Sequence, residues 1–254
     1  MNNFIASVAS KIFASHKENL GSVLVVFPSR RAGVYFRKEL SALLVKPVWS
    51  PSVMSINEFI ASFSKLELAD KLTLIMKLYK SYTKHFIDEP FDEFYSWGEM
   101  LLKDYDEVDK YLVNAELLFR KLKDEKEIEH RFQTEINEDA RNFWGSLIKI
   151  KPGSEYTRNF LDIWNSLFEI YSGFRSSLVK DGLAYEGLAA REIAENINST
   201  SSFDNYEMVY FAGFNSLNKC ELKIITSLKE KGKAVVFWDA DKYYLDDAKQ
   251  ESGL

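Results

Sequence analysis

Two hydrophobic rhythms alternate along this chain. At the amino end Phe4, Val8, Ile12 and Phe13 fall at helical spacing. After a break at 19–21 comes an unbroken apolar, mostly β-branched run, Val23-Leu24-Val25-Val26-Phe27, which predicts a buried strand. The run stops at Pro28, crosses a short polar turn and enters a helical pattern through Val34, Phe36 and Leu40. Two prolines then frame a short extended piece in "KPVWSPSVMS", and Ser55 with Glu58 has the spacing of a capping box, so a helix is predicted to start near Ile56. From about 69 to 196 apolar and aromatic residues recur three or four apart almost without interruption, as in "DKLTLIMKLYKSYTKHF" and "EGLAAREIAENI". Strand texture returns in "EMVYFAGF" and "KAVVFWDAD", separated by a helix over 219–229 with Asn218 and Glu221 at capping-box spacing.

Strands alternating with helices at both ends of a chain predict right-handed βαβ units sharing one short parallel sheet, an α/β fold. The helical middle then reads as an insertion. The boundaries expected are 1–68 and 198–254 for the two parts of the α/β domain and 69–197 for the helical insertion, with "KPGSEY" and "NSTSSFDN" as loops. The chain stops at "QESGL" without a closing element, as a piece of a longer protein would.

Composition narrows the reading. A chain of 254 residues, 46% hydrophobic and 15% aromatic, can fill a substantial core, and the net charge of −5 offers no global attraction to polyanions. Any nucleic-acid site must therefore be a local basic patch. The single cysteine, Cys220, excludes an internal disulfide framework, and its helical setting predicts burial. No basic leader precedes an apolar stretch and no run of ~18 apolar residues occurs, so a soluble, cytoplasmic protein is expected.

The turn after the first strand invites comparison with a phosphate loop. Such a loop needs glycines that free several N–H groups, a lysine for the β- and γ-phosphates and a hydroxyl for Mg²⁺. "FPSRRAG" has one late glycine and no Gly-Lys-Ser/Thr, and it lacks dinucleotide-fingerprint spacing. Ser29, Arg30 and Arg31 nevertheless sit at a strand's carboxyl end and a helix's amino end, where unpaired N–H groups favour an anion. A phosphodiester backbone suits them better than a triphosphate; a plain solvated turn is the bland alternative.

"VLVVFPSRRAGVYFRKEL", "VMSINEFIASF", "GLAYEGLAAREIAE" and "VYFAGFNSLNKCELKIITSLKEKGKAVVFWDADKYY" resemble, in order and spacing, the N-terminal helicase-like region of AddB/RexB-type subunits of bacterial helicase–nuclease complexes, which process double-strand breaks. The resemblance implies a superfamily 1 helicase-like fold related to P-loop NTPases, in which the first segment touches single-stranded DNA. It also implies an AddA-type helicase–nuclease partner subunit, and a PD-(D/E)XK exonuclease domain beyond residue 254. The family's acidic residue before Gly-Phe is Ala212 here, so both the phosphate loop and a Mg²⁺-associated carboxylate are missing, and both losses fall on phosphoryl transfer. The expectation is a non-hydrolysing domain that holds and guides DNA, a single strand or duplex end, in repair and recombination. Its candidate nucleic-acid-binding residues are Ser29, Arg30, Arg31, Trp49 in the proline-framed loop, and Ser55; no catalytic residue, cofactor or metal is assigned.

Rival chemistry is weaker. Asp239-Ala-Asp241 ends an apolar strand like the Asp-x-Asp pair of metal-dependent nucleotide-sugar transferases, although strand-terminal carboxylates more often cap a turn. Asp104, Asp106, Glu107 and Asp109 lack the glycine and terminal glutamate of an EF-hand, and a solvated turn between helices is expected there. His16, His85 and His130 lie apart beside charged residues and are expected on the surface. The aromatics of the middle (Trp97, Phe119, Phe132, Phe143, Trp144, Trp164, Phe168, Tyr171, Phe174) fall on helix faces with Leu and Ile and read as core rather than base platforms. A non-catalytic scaffold whose helices bind a protein is the remaining class.

Overall fold

The structure is a computed structural model that describes residues 4–17, 19–87, 89–122, 156–198 and 202–239. The chain divides into two units, one comprising Met1–Glu67 with Ala189–Leu254 and the other Leu68–Leu188.

The first unit is built on a four-stranded parallel sheet ordered β2-β1-β5-β6, with β1 at Val23–Phe27, β2 at Ser52–Ser55, β5 at Met208–Ala212 and β6 at Ala234–Phe237. All five residues of β1 are buried, because helices cover both faces of the sheet. Side chains alternate across it. Val23, Val25 and Phe27 of β1, with Tyr210 and Ala212 of β5, meet Val8, Ala9 and Ile12 of α1 (Phe4–His16) and Phe36 and Leu40 of α2 (Arg30–Leu43). On the opposite face Phe211 packs edge-on against Phe59 of α3 (Ile56–Phe63), with ring centroids 5.6 Å apart, and Phe59 and Phe63 both stack on Phe203.

The helix α8 (Lys219–Glu230) carries β5 to β6 by a right-handed crossover running the other way along the sheet from the β1-α2-β2 connection, which puts α8 on the face opposite α2. Cys220 is buried there, as its helical setting predicts. Both predicted capping boxes are present: Ser55 with Glu58 starts α3, and Asn218 with Glu221 starts α8.

The second unit is helical: α4 (Lys71–Tyr82), α5 (Phe91–Lys110), helical backbone over 115–122, and α6 (Tyr156–Lys180). Leu68 of β3 (Glu67–Leu68) pairs with β4 (Leu183–Ala184), where the Ala69 N–H donates to the Ala184 carbonyl at 3.0 Å. That strand pair has no counterpart in the sequence reading, because two-residue strands have too little pattern to see. The helix α7 (Glu186–Asn196) follows β4, and from Ala189 onward it belongs to the first unit.

The acidic run at 104–109 corrects an expectation. It is not a solvated turn but the last two turns of α5, and Asp109 is fully buried. Its two carboxyl oxygens accept hydrogen bonds from Tyr171, at 2.6 Å, and from Tyr185. Asp106 accepts the Gly187 backbone N–H at 2.6 Å and pairs with Lys110 at 2.6 Å, while burial pushes the Asp104 carboxyl upward. A helix that presents Tyr105, Val108 and Asp109 inward and charged neighbours outward looks, in one dimension, like a charge cluster.

Of the middle aromatics, Phe119, Tyr171 and Phe174 are core, whereas Phe132, Phe143, Trp144 and the side chain of Trp164 lie outside the described residues. His16 is the second correction. Its side chain is only 8% exposed, and its Nε2 lies 2.9 Å from the Tyr210 hydroxyl. His130 falls outside the described residues. Among the described residues no helix is long and apolar enough to cross a membrane.

Candidate nucleic-acid interface

Strand register defines the carboxyl rim of the sheet. Phe27 pairs with Ser55, Val26 with Phe211 and Ala212 with Phe237, so the four strands end nearly level. The connection from β1 leads to one edge and the connection from β5 to the other, which makes the β1/β5 boundary a topological switch point, the position where open parallel sheets leave a crevice for a ligand. Two helix amino ends flank it, α2 from β1 and α8 from β5.

Only Pro28 and Ser29 separate β1 from α2. Ser29 adopts extended backbone and caps α2, its hydroxyl accepting from the Ala32 N–H at a long 3.5 Å. Arg30 and Arg31 therefore stand in the first turn of α2, both exposed at the rim. The Arg30 Nε lies 2.7 Å from the Glu58 Oε1, with the arginine side chain 80% exposed. Exposed pairs of this kind contribute little, so Arg30 is free to exchange its carboxylate for a phosphate.

Glu58 also closes the α3 capping box, with its Oε2 accepting from the Ser55 N–H and hydroxyl, both at 2.8 Å. These bonds from Ser55, ahead of the charge of Arg30, hold the Glu58 carboxyl below its ordinary value. Arg31 lies over the ring of Tyr35 one turn along α2, 5.8 Å from its centroid. Arg37 ties the same helix to the sheet by donating to the Val53 carbonyl at 3.0 Å.

The candidate residues divide accordingly. Ser29, Arg30, Arg31 and Ser55 gather at the carboxyl rim, but Ser55 is buried, and its hydroxyl serves the capping box. Trp49 is 86% exposed, and its Cβ would lie 3.1 Å from a Cβ built on Gly21, which places it at the amino edge of the sheet. The five residues of β1 put about 16 Å between that edge and the rim. Trp49 thus shares no compact site with the arginines.

Across the switch point Ala212 is fully buried at the end of β5, and Gly213, at φ +74°, donates to the Phe237 carbonyl at 3.0 Å. Asp239 is exposed beyond β6, and Asp241 lies outside the described residues. Among the described residues no group of three or more His, Cys, Asp or Glu side chains is placed to hold a metal ion.

Two participants escape a sequence reading. Glu58 reaches Arg30 only because β2 lies beside β1, so no local pattern reveals it. Tyr35 has a visible signal, four positions after Arg31 on a helix, which brings the two side chains to one face. Neither a family model nor a curated protein matches the chain.

Proposed function

We propose that this chain is a helicase-like region of an AddB/RexB-type subunit, one that binds and guides DNA at the carboxyl rim of its sheet without hydrolysing ATP. The observation that carries the reading is the two-residue link from β1 to α2, with Arg30 and Arg31 exposed immediately after it. A loop that wraps a triphosphate uses roughly eight positions, with its lysine and hydroxyl at the helix start. Pro28 and Ser29 offer neither the length nor the lysine, and Ala212 offers no carboxylate to a metal. Two guanidinium groups at a helix amino end do suit the single charges spaced along a phosphodiester.

The test is fluorescence anisotropy with a labelled single strand, run beside calorimetric titration with Mg²⁺–ATP. DNA affinity in the micromolar range or weaker is expected, with a log–log salt slope of about −1.4 for two phosphates neutralised. Arg30→Ala with Arg31→Glu should reduce binding strongly, while Lys229→Glu, at the far end of α8, should matter little. ATP should give no micromolar binding and no DNA-stimulated hydrolysis. Parental DNA affinity in the arginine double variant, or micromolar ATP binding, would overturn the proposal.

A further inference from the structure

The charge on α2 is distributed differently from that of the whole chain. In a protein of net charge −5, this helix carries Arg30, Arg31, Arg37 and Lys38 against the single acid Glu39. Arg31, Tyr35 and Lys38 follow at i, i+4 and i+7, which puts them on one face, and all three are exposed. Val34, 61% exposed, borders that face. About 10 Å of helix separates Arg31 from Lys38, with Tyr35 between them.

Tyr35 is 43% exposed, and its ring is already engaged by the Arg31 guanidinium at 5.8 Å, within the range of a cation–π contact. The Arg31 guanidinium beside it holds the phenol below its ordinary pKa. Arg31 thus rests against an aromatic face one helical turn away, which narrows the conformations it must give up to meet a phosphate.

We infer that Tyr35 is the base-stacking element of the interface, with Arg31 and Lys38 holding the phosphates on either side of the stacked nucleotide. The ligand is a single-stranded polynucleotide, because only an unpaired base frees its face for a ring lying on a helix surface. This assignment rests on the DNA-binding reading above and adds to it the residue that would tell a strand with bases from a bare polyanion. It also gives the site a ring beside the arginines, which Trp49, at the amino edge, does not supply.

The experiment measures anisotropy of the full chain with labelled oligothymidylate, an abasic oligomer of equal length, and a duplex. Tyr35→Ala should weaken oligothymidylate binding by about 5-fold to 150-fold, the range for loss of one stacked base, with the salt slope unchanged. On the abasic oligomer it should act less than twofold, and Tyr35→Phe should stay close to the parent on both. Arg31→Ala should weaken both oligomers and flatten the salt slope by about 0.7.

Parental affinity of Tyr35→Ala for oligothymidylate overturns the stacking role. So does an equal loss on the abasic oligomer, which would make the ring merely a support for Arg31. In either case a retained Arg31→Ala effect leaves the DNA-binding reading standing. Binding to vesicles containing anionic lipid, with none to any oligomer, overturns both.

Discussion

Replacing Asp109 by alanine removes the acceptor at the centre of a buried polar cluster in the helical unit. Asp109 is fully buried, Tyr185 is 4% exposed and Tyr171 is 3% exposed, and each tyrosine donates its hydroxyl to one Asp109 oxygen. Burial, and then the nearby Asp109 charge, push the Tyr185 phenol well up, so it stays a protonated donor throughout the accessible pH range. The substitution takes the acceptor from two buried hydroxyls, at about 1–3 kcal/mol apiece. Partial relaxation brings the expected cost to about 3–5 kcal/mol.

For a unit of about 120 residues, each kcal/mol is worth about 3–5 °C, so the melting temperature should fall by about 10–20 °C in a circular-dichroism or calorimetric scan. The triple variant Asp109→Leu, Tyr171→Phe, Tyr185→Phe removes the two hydroxyl donors and their acceptor together and should recover part of the loss, because neither hydroxyl is then stranded. A drop below about 3 °C for Asp109→Ala, or a triple variant no better than the single one, would refute this account of the cluster.

Two further outcomes concern other elements. A Cβ on Gly187 would lie 2.3 Å from the Asp106 carbonyl oxygen, a backbone atom that cannot swing aside, so Gly187→Ala should destabilise by about 1–3 kcal/mol in a urea titration. The Glu58 carboxyl, depressed by Ser55 and Arg30, gives a stabilisation that is fully present above its ordinary value of 4.5 and lost as pH falls through its lower folded value. Glu58→Gln keeps an acceptor for the Ser55 N–H but does not titrate, so its melting temperature should decline less than the parent's between pH 5 and pH 3.

The elements visible in the sequence were those whose cause is local. An unbroken apolar, mostly β-branched run makes β1, and Ser55/Glu58 and Asn218/Glu221 start their helices within four residues of chain. Features joined across long separations were hidden. Asp109 finds Tyr171 62 positions and Tyr185 76 positions away, so an isolated acidic run gave no hint of burial. His16 looked like a surface residue until β5 brought Tyr210 to its ring. At the candidate site, the arginines could be placed at the rim from strand-then-helix order alone. Placing Trp49 at the other edge required knowing that β2 runs parallel to β1, so that the loop before β2 returns to the start of the sheet.

The Pro28–Ser29 link also sets what mutation can do to this protein. Substitutions change the identity of positions but not their number, and a loop that encloses phosphates needs several residues where this chain has two. A turn that cradles phosphates here would need the first turn of α2 re-seated or residues inserted before it, not a change of side chains alone. The arginines at 30 and 31 face no such barrier, since single-base changes tune them freely. Under the DNA-binding proposal, a lineage carrying this short link can therefore vary the cations of its rim while the two-residue turn that presents them stays the same.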